Sequence, residues 1–61
     1  MSKWVSVHAS NGDELLLNMN YVSGVCVKQK YYIDNINHIF KLLSEEDALN
    51  IEKAIKEQTN G

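Results

Sequence analysis

Proline is absent from this chain, and cysteine occurs once, at Cys26. A single cysteine excludes an internal disulfide and points to a reducing compartment. No CxxC or HxxxH spacing is present, so the close ligand pairs of a structural zinc site are missing. There is no phosphate loop or dinucleotide fingerprint. No apolar run is long enough for a membrane span or a signal peptide. Ser2 stands where N-myristoylation requires glycine. These absences lead to the expectation of a cytoplasmic protein. The formal net charge is only −2, so nothing draws the whole molecule to nucleic acid or to an anionic membrane. Repeats, linkers and low-complexity stretches are also lacking, and residues 1–61 are expected to form a single domain.

What is present is a small globular composition, 44% hydrophobic and 23% charged over 61 residues. A chain of this size buries roughly 60% of its unfolded surface, so its core is marginal. Such scaffolds are usually stabilised by disulfides, a metal or a partner chain.

Lys3 to Ala9 alternates and is β-branched, as a strand does. Asn11-Gly12 is a strong hairpin signal, because both residues tolerate the positive φ of a type I′ turn. Asp13 to Asn18 follows as the return strand, and Asn18-Met19-Asn20 reads as a turn. A third strand is predicted over Val22–Lys28, with Gly24 as a bulge, and a fourth over Lys30–Ile33. Asp34 to Asn37 has turn chemistry. In the next segment Ile36, Ile39, Phe40 and Leu43 fit helical spacing, whereas His38, Phe40 and Leu42 fit a strand. The neighbouring asparagines disfavour a helix start, so a strand from about His38 to Leu43 is expected. Ser44-Glu45-Glu46-Asp47 then opens a helix as a capping-box variant with acidic residues in the first turn. Ala48, Ile51, Ala54 and Ile55 form its apolar stripe, with Leu49 off it. Glu52–Lys56 and Lys53–Glu57 are spaced as i, i+4 pairs, and Asn60-Gly61 is a plausible stop. The expected fold class is α+β: a small antiparallel β-meander of four to five strands packed by one C-terminal α-helix.

The first hairpin carries the main functional expectation. A two-residue turn pairs Ser10 with Asp13, His8 with Leu15 and Val7 with Leu16. One face then holds Val5, Val7, Ala9 and Leu16, and the other Trp4, His8, Leu15, Leu17 and Met19. Both faces are partly apolar, and one helix covers only one of them. Either the sheet curls on itself or a second chain covers the other face.

The run Asn11-Gly12, Leu17-Asn18, Val22, Val25, Tyr32-Ile33 and Ile39-Phe40, followed by a short C-terminal helix, resembles a broad group of small bacterial and phage proteins and is similar in layout to the FlbD-like flagellar proteins. The resemblance implies a strand meander closed by a helix and carries over no catalytic residue.

Several sets of residues carry side chains capable of chemistry. Cys26 with His8 or His38, and Asp34 as orienter, has the residue types of a nucleophile and base. It lacks a Gly-rich elbow or a helix N-terminus at the cysteine, and a small buried apolar role fits better. The same cysteine and histidines do not make a convincing metal set, and no cofactor is expected. Lys28, Lys30, Tyr31 and Tyr32 interleave charge and aromatic faces, as single-strand binders do. Edge-guarding lysines and ordinary strand tyrosines explain them as well. The acidic helix start is read as dipole complementation. The expected function is therefore a non-catalytic protein-interaction or regulatory module, an adaptor or inhibitor that binds a larger protein or forms a homodimer. The partner surface is assigned to Trp4, Leu15, Leu17 and Leu49. The alternative is a nucleic-acid-binding module using Lys28–Tyr32.

Overall fold

The computed structural model describes residues 3–59, with side chains through position 57; the expected stop at Asn60-Gly61 lies outside them. In chain order the elements are β1 (Trp4–His8), β2 (Glu14–Asn18), a 3-10 turn (Met19–Tyr21), β3 (Val22–Cys26), β4 (Tyr31–Asp34), β5 (Ile39–Lys41) and α1 (Glu45–Thr59). Strands β1 and β2 form one antiparallel sheet, and β3, β4 and β5 form another in that order. The fold is α+β, as the sequence predicts, with its five strands divided between two small sheets packed against the helix. No helix among the described residues is long and apolar enough to cross a membrane.

The β1–β2 hairpin departs from the predicted register by one residue. Val7 faces Leu15 and His8 faces Glu14. The cause is the loop. Gly12 N–H donates to Ala9 O at 2.9 Å, Ala9 N–H donates to Asp13 O at 2.8 Å, and Gly12 has φ +95°. This is a three-residue loop, a type I turn followed by a left-handed glycine, and not the two-residue type I′ turn. Asn11 supports it by accepting the Asp13 N–H at 3.0 Å. A one-residue slip exchanges the faces of a strand. Leu15 and Leu17 therefore join Val5 and Val7 against the core, and Leu16 points outward, 65% exposed.

The β4–β5 loop uses the same device with asparagine. Asp34 N–H donates to His38 O and Asn37 N–H to Asp34 O, each at 3.1 Å, and Asn37 has φ +68°. The predicted strand over His38–Leu43 is present as β5, with Leu42 forming an isolated bridge to Ala9. The bulge expected at Gly24 appears as a register shift between Val22 and Gly24. The third strand ends at Cys26, short of the predicted Lys28, because Val27–Lys30 turns instead, closed by Lys30 N–H to Val27 O.

The Ala9–Leu42 bridge and a Leu43 N–H to His8 O bond at 2.9 Å attach β1 to the end of β5. The two sheets, joined through this bridge, together form a wall of strands against α1. Its inner side holds the core of Val7, Met19, Tyr32 and Leu42, closed by Ala48, Ile51 and Ala54 of α1. Ser44 Oγ accepts the Asp47 N–H at 3.4 Å, which is the predicted N-cap. The reciprocal half of a capping box is replaced. The Asp47 carboxylate, in a residue only 8% exposed, accepts the backbone N–H of His8 at 3.0 Å. Glu52 pairs with Lys56, whereas Glu57 is engaged by Lys3 of the N-terminal segment and not by Lys53.

Candidate functional site

The first hairpin sends Trp4 and Leu16 to the outer side of the wall. The 3-10 turn at Met19–Tyr21 buries Met19 and turns Tyr21 outward. Asn18 caps this turn by accepting the Asn20 N–H at 3.0 Å. Opposite, Tyr32 and Phe40 are cross-strand partners on β4 and β5, and their rings stack at 5.1 Å with 22° between planes. These side chains meet in an open apolar groove of about 370 Å³, lined by Trp4, Leu16, Leu17, Asn18, Tyr21, Val22, Tyr32, Asp34 and Phe40. Four of the five aromatic residues of the chain lie there. The β1–β2 hairpin and the 3-10 turn supply Trp4, Leu16, Leu17, Asn18 and Tyr21, and the three-stranded sheet supplies Val22, Tyr32, Asp34 and Phe40.

Asp34 is the one acidic residue of this lining, which holds no lysine or histidine. Its Oδ1 accepts the N–H groups of Ile36 at 3.0 Å and His38 at 2.9 Å, and its Oδ2 lies 3.8 Å from His38 Nδ1. The tight β4–β5 loop thus holds the carboxylate in place. Burial, with the Asp34 charge beside it, pushes the Tyr32 phenol above its ordinary value.

The residues assigned from sequence divide. Trp4, 54% exposed, and Leu17 line the groove. Leu15 packs on the core and lies outside it. Leu49, 42% exposed, sits apart on α1. The register slip hid Leu16. Tyr21, Phe40 and Asp34 belong to separate loops and strands that only the folded chain brings together. In the Lys28–Tyr32 segment, Tyr31 and Tyr32 alternate across β4. Tyr32 is 6% exposed and stacked on Phe40, while Lys28 and Lys30 lie in the preceding turn. The two tyrosines and two lysines therefore do not form one exposed surface. No hydrogen bond or ion pair joins Cys26 to either histidine; His8 and His38 approach Asp47 and Asp34 instead. Among the described residues no group of three or more His, Cys, Asp or Glu is placed to hold a metal ion.

No family model, curated protein or solved structure matches this chain.

Proposed function

We propose that the chain is a non-catalytic protein-interaction module, an adaptor or inhibitor whose binding surface is the aromatic groove between the β1–β2 hairpin and the three-stranded sheet. The observation that carries this reading is the placement of Trp4, Tyr21, Tyr32 and Phe40 around one surface groove in a domain short of core. Aromatic side chains are the largest sources of burial available to a small fold. Leaving Trp4 and Tyr21 exposed forgoes stability that a marginal domain needs, and these residue types dominate the energetics of protein interfaces. The single free thiol, Cys26, fits a reducing, cytoplasmic setting.

The test compares tagged wild type with Leu16→Glu and Trp4→Ala in affinity capture from the source cells. Both positions are exposed, so both variants should melt within a few degrees of wild type. Both should lose whatever the wild type retains. Equal recovery of the same proteins by all three would refute the groove as the binding surface.

A further inference from the structure

Building on the groove reading, we infer that its occupant is an extended peptide segment bearing a cationic side chain, which adds as a strand to the free edge of β2. Two independent observations support this. The first is the edge itself. Ala9–Asp13 is a hydrogen-bonded pair, and Met19 N–H donates to Lys3 O at 2.8 Å, so the bonded pairs of the hairpin fall on the odd-numbered residues. Antiparallel alternation then turns the N–H and C=O of Leu16 away from β1, to the outer edge of a strand whose Leu16, Leu17 and Asn18 line the groove. Edge strands are normally guarded by lysine, proline or a bulge. The other end strand, β3, carries a bulge between Val22 and Gly24. Strand β2, Glu-Leu-Leu-Leu-Asn, has neither lysine nor proline, and its register is unbroken.

The second observation is charge. Asp34 is the only ionised side chain lining the groove, set among aromatic faces that attract cations. Its Oδ1 accepts both loop N–H groups and its Oδ2 lies 3.8 Å from His38 Nδ1, so the carboxylate is held in place in the groove lining. The net charge of −2 favours the same sign of partner. In strand addition, main-chain bonds supply affinity and alternate side chains supply choice. Here the main-chain bonds are those of Leu16, and the choice is a lysine or arginine against Asp34.

Trp4 is the sole tryptophan and lies in the groove, so its emission reports occupancy. The probes are three capped ten-residue peptides in which valine alternates with arginine, threonine or glutamate. The arginine peptide should shift Trp4 emission saturably and move the Leu16 amide resonance, and it should bind about tenfold more tightly than the threonine peptide. Asp34→Asn keeps the oxygen that accepts the loop N–H groups and removes the charge. It should abolish that preference, bringing the arginine peptide to the affinity of the threonine peptide. Equal binding of the threonine and arginine peptides would overturn the cationic assignment and leave the groove reading standing. A concentration-dependent dimer that shifts Trp4 emission, with no peptide binding, would overturn the peptide and identify a second copy as the occupant. A ten-nucleotide oligothymidine that shifts Trp4 emission while no peptide does would overturn both readings. So would silence of Trp4 toward all probes together with unaltered capture by the groove variants.

Discussion

At the residue scale, the carboxylate of Asp47 accepts the His8 N–H at 3.0 Å while the Asp47 N–H is held by Ser44 Oγ at 3.4 Å, so one residue joins the helix N-terminus to the edge of β1. The two bonds differ in what their loss exposes. Ser44→Ala removes a cap and should lower stability by about 1 kcal/mol. Asp47→Ala leaves the part-buried His8 N–H without its acceptor and should cost roughly 1–3 kcal/mol, more than the cap. Asp47→Asn retains an acceptor oxygen and should fall between wild type and alanine. Urea denaturation of the three variants checks the order. If Asp47→Ala were no worse than Ser44→Ala, the link to β1 would have no energetic weight. The cap was legible in sequence because it is local: Ser44 and Asp47 are three positions apart. The link to His8 was not, because it spans 39 positions and depends on how the wall folds over the helix.

At the scale of elements, α1 follows its periodicity. Ala48, Ile51 and Ala54 are buried, and Ile55 packs beside them. Ile51→Ala should cost about 2–5 kcal/mol through lost burial and a residual cavity. Leu49→Ala, at an exposed position off the stripe, should stay within about 0.5 kcal/mol of wild type. Thermal melts of the pair test the helix face, and an Ile51 variant that melts like wild type would show it wrong. Hairpins are less forgiving. Asn11-Gly12 signals a turn whether the loop holds two residues or three, since both need a left-handed glycine. Loop length alone decides whether Leu15 and Leu17 or Leu16 meet the core. The core accepts the pair with Val5 and Val7 opposite, because that register places four aliphatic side chains on one face.

At the scale of the whole molecule, stability should total about 3–9 kcal/mol at the usual value per residue for 61 residues. Single buried groups therefore matter, and Tyr32 is one. Burial and the Asp34 charge raise its phenol pKa in the fold. The neutral phenol is the form the fold favours, so its stabilising share is complete below the unfolded value of about 10 and is lost as pH rises through the higher folded value. As pH rises through about 10 and above, the melting temperature of wild type should fall more steeply than that of Tyr32→Phe, which keeps the ring that stacks on Phe40. Parallel slopes for the two proteins would mean that ionisation of Tyr32 is not linked to unfolding.

Sequence by itself determined the class of the fold, the approximate positions of its strands along the chain, the bulge at Gly24, the positions of the asparagine-bearing turns, and the capped helix with its buried face. All of these follow from interactions between residues a few positions apart, or from periodicities that a helix or strand imposes on its own side chains. Tertiary structure decided the register of the first hairpin, the division of the strands into two sheets joined by the Ala9–Leu42 bridge, and the groove. Trp4, Tyr21, Asp34 and Phe40 come from four separate segments, and no local pattern links them. They meet because the core selects a register that turns Leu16 outward, and because both sheets pack on the same helix.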